Sequence, residues 1–205
     1  MPLRARLYLV TGAISDDRLT AALAGGVDIV QLRLKDADDD AILAQAARVQ
    51  AVCRRYRVPF LLNDRPDLAR AAGADGVHLG QEDMPVAEAR ALLGPDAIIG
   101  LSTHTPAQVD AAEALAIDYF AVGPIHATPT KPGRPAVGEA LIRYAASRAV
   151  TPFFAIGGID TSTVIAARAA GAHAVAVVRA ITDASDPTAA AAALRAALEA
   201  GDEPA

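Results

Sequence analysis

Eight short apolar segments, separated by longer helical stretches, predict an α/β fold that closes as a single-domain (β/α)8 TIM barrel. The apolar segments lack regular polar alternation, which is typical of strands buried on both faces of a parallel sheet. An open doubly wound sheet fits less well, because eight regular units leave no edge strands. The turn at Thr11-Gly12-Ala13 also lacks the Gly-x-Gly-x-x-Gly pattern of dinucleotide-binding sheets.

The predicted strands are short and rich in β-branched or aromatic residues. In chain order they span residues 6–11, 28–33, 59–63, 76–79, 97–101, 118–122, 152–156 and 174–178. The helical stretches between them include residues 40–56, 87–93, 106–115 and 161–170. Several of these begin at Asp, Ser, Thr or Pro and end at glycine, in agreement with capping preferences. We expect one domain over residues 1–200 and a disordered tail over residues 201–205.

An internal repeat supports the barrel. Four segments share a helix end, a short turn and the start of an apolar strand. The residues at the start of these strands, or directly before it, are Asp28, Asp75, Asp118 and His173, at intervals of 43 to 55 residues. Each interval corresponds to about two strand–helix units. The repeat therefore marks the entries to the even-numbered strands.

Composition excludes several classes of protein. The net charge is −5, with 17 Arg, 2 Lys and no basic run, so the chain lacks the electrostatic footprint of a nucleic-acid partner. No apolar stretch reaches the length of a membrane span, and the single cysteine excludes an intramolecular disulfide and a multi-cysteine zinc site. Without a signal-peptide pattern, we expect a cytoplasmic protein. The sequence leaves the oligomeric state open, including a homo-oligomer.

Active sites of such barrels lie on the loops that follow the strands. After the second strand, alternation places Gln31, Arg33 and Lys35 on one side and Leu32 and Leu34 on the other. The polar set would point into the barrel mouth, where cations need an anionic partner. A bound anion or a salt bridge to a neighbouring strand would satisfy this need.

Carboxylates follow the third and fourth strands. Asn63 and Asp64 end the third strand, and Asp83 follows the fourth. Two carboxylates near cations suit Mg²⁺, which prefers oxygen ligands and keeps positions for water and phosphate. The alternative is that each Asp caps the following helix. We interpret His78, on the fourth strand, as a hydrogen-bonded packing residue rather than a ligand.

Hydroxyl groups and a lysine follow the next two strands. Ser102 and His104 come after the fifth strand, where they would contact a phosphate or make a structural hydrogen bond. The longest loop, residues 123–135, follows the sixth strand and carries Thr128, Thr130 and Lys131. Loops of this length are often lids, and its side chains suit an anion; a solvated linker is the alternative.

The last two strands end in features typical of a phosphate site. Gly157 and Gly158 follow the seventh strand, and Val178 and Arg179 follow the eighth. Loops at these positions of a barrel commonly bind phosphate through backbone amides. Arg179 would add charge to this site or pair outward with an acidic residue. The sequence thus predicts two anion-binding regions and one metal site at the same rim.

Taken together, the motifs resemble those of the thiamine-phosphate synthase family over nearly the whole chain. The matching segments are residues 8–11, 31–35, 63–65, 78–83, 102–105, 123–125, 128–131 and 156–159. The resemblance implies an enzyme, a transferase that joins hydroxymethylpyrimidine diphosphate to thiazole phosphate and releases pyrophosphate. It also implies a dissociative mechanism, in which the diphosphate leaves before the thiazole nitrogen attacks.

The resemblance assigns the site residues as well. The pyrimidine diphosphate would be held by Gln31, Arg33, Lys35, Asn63, Ser102 and Lys131. The thiazole phosphate would be held by Thr128, Thr130, Gly158, Val178 and Arg179. The cofactor Mg²⁺ would be bound by Asp64 and Asp83, and the groups expected to act on the reacting diphosphate are Lys131, Ser102 and Arg33. Arg179 departs from the family pattern, in which a small serine is common, and leaves the details of the thiazole phosphate site open.

Three other functions remain to be compared. A thiazole tautomerase-like barrel would use His104 for metal-free proton transfer and would not need Asp83, Lys35 or the threonine–lysine loop. A non-catalytic thiamine-phosphate binding or regulatory protein would not need the carboxylates. A sugar-phosphate isomerase or epimerase would share the barrel and the phosphate site but not the features for a metal-bound diphosphate.

Overall fold

The computed structural model describes residues 5–128 and 135–200. The strands are β1 Leu7–Thr11, β2 Ile29–Leu32, β3 Phe60–Asn63, β4 Gly76–Leu79, β5 Ile98–Thr103, β6 Tyr119–Val122, β7 Phe153–Ile156 and β8 Val175–Val177. The helices are α1 Asp16–Ala24, α2 Asp39–Tyr56, α3 Pro66–Ala72, α4 Val86–Leu93, α5 Pro106–Ala112, α6 Gly138–Arg148, α7 Val164–Ala169, α8 Arg179–Thr182 and α9 Pro187–Glu199.

All eight strands are parallel and form one closed barrel in chain order, with β1 paired to both β2 and β8. The (β/α)8 prediction is therefore confirmed. The predicted strands differ from the observed ones by one or two residues at some ends; β5, for example, continues to Thr103 and includes Ser102. In the described ranges, no helix has the length and apolarity needed to cross a membrane. The predicted tail at residues 201–205 lies outside the described residues and stays a prediction.

Two apolar layers stabilise the barrel. The outer layer lies between the strands and the helices, and Leu34 packs against it. The inner layer fills the barrel below the cavity with Tyr8, Val10, Ile29, Leu61, Tyr119, Phe154, Ala174 and Ala176. Because successive side chains of a strand alternate between these layers, the inward residues nearest the carboxyl ends form the floor of the site.

The structure explains three copies of the sequence repeat. The Oδ2 atoms of Asp28, Asp75 and Asp118 accept hydrogen bonds from backbone N–H groups at the start of the preceding strand, at 2.8–3.0 Å. Each carboxylate thus satisfies a backbone donor that the barrel leaves unpaired at its lower end. Asp28 also binds Arg195 of α9, with an Oδ1–Nη1 distance of 2.6 Å. His173 in the fourth copy is exposed.

We expect Asp28→Ala to lower the free energy of unfolding by about 2–4 kcal/mol, because the change leaves two backbone donors without their acceptor and removes one of the two carboxylates that pair with Arg195. The measurement is urea denaturation followed by circular dichroism. Asp16→Ala is the matched control, since its ion pair with Arg48 is exposed on both sides and should cost under about 1 kcal/mol. Equal losses in the two variants would contradict this role for Asp28.

Candidate active site

The carboxyl ends of the strands surround a cavity of about 350 Å³. Eight of the thirteen predicted site residues line it: Gln31, Arg33, Asn63, Ser102, Thr128, Gly158, Val178 and Arg179. Lys35, Asp64 and Asp83 do not line this cavity. Thr130 and Lys131 lie outside the described residues, so their predicted roles stay predictions. The cavity therefore brings together side chains from distant parts of the sequence, as the barrel predicts.

The polar set after β2 runs from the buried interior to the rim. Gln31 is buried and donates its Nε2 hydrogen to the hydroxyl of Tyr8. Arg33 is half-buried and Lys35 is exposed. Among the described residues neither cation has an ion-pair partner within 4.0 Å, so the alternative of a salt bridge to a neighbouring strand is wrong for this part of the chain. Their charges remain available to an anionic ligand.

Asp64 and Asp83 lie close together beside this cationic set. Burial and the neighbouring carboxyl of Asp83 raise the pKa of Asp64 to about 6, while Asn63 and Lys35 act in the opposite direction. Asp64 has a left-handed backbone, with φ of 61°, and its N–H donates to the His78 carbonyl at 2.8 Å. The backbone of β3 and β4 thus directs the carboxyl group toward its partner.

Neither aspartate caps a helix. Arg65 and Pro85 occupy the N-cap positions of α3 and α4, and neither helix has a side-chain cap. Asp83 instead accepts a hydrogen bond from Gly80 N–H through Oδ2, at 2.6 Å. The helix-cap alternative is therefore wrong for both carboxylates. They face each other at the rim, where a cation would relieve their repulsion.

The chemistry of this pair suits a magnesium ion bound together with a ligand. In residues 5–128 and 135–200 no group of three or more His, Cys, Asp or Glu side chains could hold a metal by itself. Mg²⁺ is commonly held by one or two carboxylates and completes its shell with water and phosphate oxygens. The two aspartates with Asn63 nearby fit that pattern, whereas a fully protein-coordinated site would need more ligands.

Ser102 and the two histidines are fixed by hydrogen bonds. His78 is buried and bonds Tyr119 through Nδ1 and Ser102 through Nε2, both at 2.9 Å. It is hydrogen-bonded, as the sequence analysis predicts, yet it also lines the cavity. His104 lies on the cavity wall and its Nδ1 is bonded to the Gly123 carbonyl.

The loop after β6 is tied to the barrel at both of its described ends. Ile125 N–H donates to the Ile156 carbonyl at 2.9 Å, and Val137 N–H donates to the Pro124 carbonyl at 2.8 Å. Thr128 consequently reaches the cavity wall. The predicted lid residues between these anchors are not described, and the lid stays a prediction.

The phosphate side of the cavity is built on β7 and β8. Gly157 and Gly158 have φ values of 105° and 64°, and a Cβ atom on either would lie 2.6–2.7 Å from the loop at Pro124 or His126. Glycine is required here because the backbones approach too closely for a side chain. Arg179 is exposed on the rim and forms no ion pair with any residue that the structure describes. The alternative in which it pairs outward with an acidic residue is therefore not found in these ranges.

Sequence reasoning assigned no role to Tyr8, which lines the cavity, or to Tyr119, which is buried beside it. Tyr8 lines the cavity, and the Tyr119 hydroxyl lies 2.8 Å from that of Tyr8. Both occupy apolar strand segments, where aromatic residues are expected for packing alone. The register of the strands is the signal that could have identified them. Tyr8 lies level with the position two residues before Gln31, and Tyr119 lies level with the position two residues before Ser102. Because side chains alternate along a strand, both tyrosines point inward with Gln31 and Ser102.

The chain is similar to known proteins of one family. A family described as thiamine monophosphate synthase matches residues 7–181. The thiamine-phosphate synthase of Arthrobacter sp. is 47% identical over 96% of this chain and 95% of its own length, and that of Thermus thermophilus is 53% identical over 87% and 86%. The chain spans 54% of the length of the Gloeobacter violaceus relative, at 52% identity.

Solved structures give the same result. The thiamine phosphate pyrophosphorylase of Pyrococcus furiosus superposes with a TM-score of 0.87 at 30% identity, over 96% of both chains. A 3-hexulose-6-phosphate synthase, with a TM-score of 0.68 at 22% identity, shares the barrel fold. The matched region includes every strand of the barrel and the site residues at their carboxyl ends. This chain therefore belongs to the thiamine monophosphate synthase family.

Proposed function

We propose that this chain is a thiamine-phosphate synthase that joins 4-amino-2-methyl-5-(diphosphooxymethyl)pyrimidine to 4-methyl-5-(2-phosphooxyethyl)thiazole and forms thiamine phosphate and pyrophosphate. It is a transferase of thiamine biosynthesis that acts on small phosphorylated substrates in the cytoplasm. The observation that carries this proposal is the Asp64–Asp83 pair, with Lys35 close enough to act on Asp64, beside a cavity whose wall carries Arg33 and Asn63.

The diphosphate would bind at the mouth of this cavity. Arg33 would bind diphosphate oxygens from the cavity wall, and Lys35 would do so from the rim; Lys131 would add a third cation. Asp64 and Asp83 would hold Mg²⁺, which supplies charge neutralisation for a leaving diphosphate when it is bound. Fixed cations at the place where negative charge develops lower the barrier more than cations that must reorganise.

The reaction needs little proton transfer. The bond between the pyrimidine methylene carbon and the diphosphate oxygen breaks, and its electron pair leaves with pyrophosphate. The thiazole nitrogen then uses its lone pair to form the new carbon–nitrogen bond. Ser102 and Asn63 would orient the pyrimidine diphosphate on the cavity floor. A dissociative reaction of this kind accounts for a site rich in charge without a nucleophile–base pair.

The second substrate would bind on the opposite wall. The backbone at Gly158 and at Val178, together with the charge of Arg179, would hold the thiazole phosphate, with Thr128 and Thr130 on the neighbouring loop. Both anions would then share one cavity, with the reacting atoms between them. Preorganised proximity of two substrates is itself a large part of such a rate enhancement.

Incubation of the purified chain with both substrates and Mg²⁺, with product identified by chromatography, tests the proposal. We expect thiamine phosphate and pyrophosphate in equal amounts, with formation abolished by EDTA and restored by excess Mg²⁺. A tautomerase-like barrel would release no pyrophosphate, and a binding protein would retain thiamine phosphate without forming it. Product formation that is indifferent to EDTA would contradict the metal site.

A further inference from the structure

A chain of hydrogen bonds crosses the barrel below the cavity. Gln31 Nε2 donates to the Tyr8 hydroxyl, which lies 2.8 Å from the Tyr119 hydroxyl. The Tyr119 hydroxyl is 2.9 Å from His78 Nδ1, and His78 Nε2 is 2.9 Å from Ser102 Oγ. The chain thus links two cavity-lining residues on β2 and β5 that the proposed function assigns to the pyrimidine substrate.

Packing holds the central members of this chain in place. The Tyr119 ring stacks on His78 with a centroid distance of 5.6 Å and meets Phe154 edge-on at 5.2 Å. A Cβ atom at position 100 would lie 2.1 Å from the Tyr119 ring, so the glycine there makes room for the ring. The two tyrosines are almost fully buried, and burial raises the pKa of both phenols. Each therefore keeps its single proton and donates it once.

The hydrogen-bond positions are satisfied when all protons of the chain point the same way, from Gln31 towards Ser102. In this direction Gln31 donates to Tyr8, the Tyr8 proton goes to Tyr119, and the Tyr119 proton goes to His78 Nδ1. A neutral imidazole that accepts at Nδ1 carries its proton at Nε2 and donates to Ser102 Oγ. The hydroxyl proton of Ser102 is then left for the cavity. Rotation of the Gln31 amide would turn Oε1 towards Tyr8, which must then donate to it, and with a neutral imidazole every later bond in the chain reverses as well.

We propose that Tyr8, Tyr119 and His78 are positioning residues that lock Gln31 and Ser102 into one complementary pair, an acceptor at Gln31 Oε1 and a donor at Ser102 Oγ. The pair selects a ligand with an amino group at the β2 end and a hydrogen-bond acceptor at the β5 end. An aminopyrimidine diphosphate has both groups. The identity of the ligand in this inference rests on the proposed function. The way in which Gln31 and Ser102 are coupled rests on the hydrogen bonds alone.

The consequence is a specificity that depends on residues the ligand need not touch. An analogue with an oxo group in place of the ring amino group would set two acceptors against each other at Gln31. Rotation of the amide would relieve this only by reversing the chain and removing the donor at Ser102. A single polar mismatch would therefore affect both ends of the pyrimidine site.

The first measurement is the tautomer of His78 in ¹⁵N-histidine-labelled protein without substrate, read from two-bond ¹H–¹⁵N correlations. We expect the Nε2–H tautomer in the wild-type chain and a mixture of tautomers in both Tyr119→Phe and Gln31→Leu. Phe154→Leu, which removes an equally buried ring without a hydrogen bond, should keep the wild-type tautomer. An Nδ1–H tautomer in the wild-type chain would overturn the proposal, even where a variant fails to fold.

The second measurement compares kcat/KM for the amino substrate and its oxo analogue. Tyr119→Phe should reduce this ratio at least ~10-fold relative to the wild-type chain, while Phe154→Leu should leave it within ~3-fold. An unchanged ratio in Tyr119→Phe would overturn the coupling. A chain that lacks synthase activity altogether would contradict the proposed function. Because the tautomer is read without substrate, the NMR result would still decide whether the hydrogen-bond direction is correct.

Discussion

Arg33→Ala should lower kcat/KM for the coupling reaction at least ~10²-fold, equivalent to about 2.7 kcal/mol of transition-state stabilisation. The guanidinium is half-buried on the cavity wall, and among the described residues no carboxylate neutralises it. Its charge is therefore available to the diphosphate as negative charge develops on the leaving group. Steady-state release of pyrophosphate, measured with saturating Mg²⁺, gives the comparison with the wild-type chain.

Two further variants separate this effect from a general loss of positive charge. Arg143→Ala removes the same charge from the exposed surface of α6, where the guanidinium pairs with Glu139, and should leave kcat/KM within ~2-fold. Arg33→Lys keeps the charge without the planar fork and should recover only part of the activity. A loss under ~3-fold in Arg33→Ala would show that this residue does not contact the leaving diphosphate.

Asp64→Asn should have opposite effects on activity and on stability. Removal of one carboxylate from the proposed metal site should lower turnover at least ~10²-fold at saturating Mg²⁺. The same change should raise the free energy of unfolding of the metal-free protein by about 1 kcal/mol at pH 7.5, a value reduced for partial solvent exposure. Chemical denaturation in EDTA, repeated at several pH values, measures the second effect.

The sign follows from the direction of the pKa shift. Folding raises the pKa of Asp64 to about 6, so the folded chain binds this proton more tightly than the unfolded chain does. The associated stability is present below the usual pKa near 4 and is lost as pH rises through about 6. The gain in Asp64→Asn should therefore disappear near pH 4. A gain that does not vary with pH would contradict the carboxyl pair.

Asp67→Asn is the matched control for this experiment. Its hydrogen bond to Arg65 lowers the pKa of Asp67, so its contribution to stability is present at neutral pH and is lost as pH falls. Asp67→Asn should therefore destabilise the chain slightly at pH 7.5, opposite in sign to Asp64→Asn. Turnover should change little, because Asp67 lies on the exposed side of α3.

The sequence was sufficient to predict the barrel because each strand is a short apolar segment between helical stretches. Asp28, Asp75 and Asp118 repeat before alternate strands, and each satisfies a backbone donor of the strand before it. A local hydrogen-bonding requirement thus leaves a periodic signal in the sequence. The polar residues Gln31, Arg33 and Ser102 were predicted for a similar reason, since a polar side chain at a buried strand end is costly unless it has a polar partner or a ligand.

The rest of the site depends on contacts that only the closed barrel creates. Tyr8 and Tyr119 are 111 positions apart and meet across the barrel interior, and each looks like an ordinary packing residue in its own strand. The helix-cap alternative for Asp83 also fails through tertiary structure, because its carboxylate turns back to Gly80. Side-chain direction at a strand end is set by neighbouring strands, which the local sequence does not specify.

The central claim is that one cavity holds a metal-bound diphosphate and a thiazole phosphate on opposite walls. A crystal structure of the chain with thiamine phosphate, pyrophosphate and Mn²⁺ in place of Mg²⁺ would test this directly. We expect an anomalous peak between Asp64 and Asp83, pyrophosphate bonded to Arg33, and the thiamine phosphate group at the Gly158 and Arg179 backbone. A metal bound elsewhere, or both phosphate groups on one wall, would contradict the account.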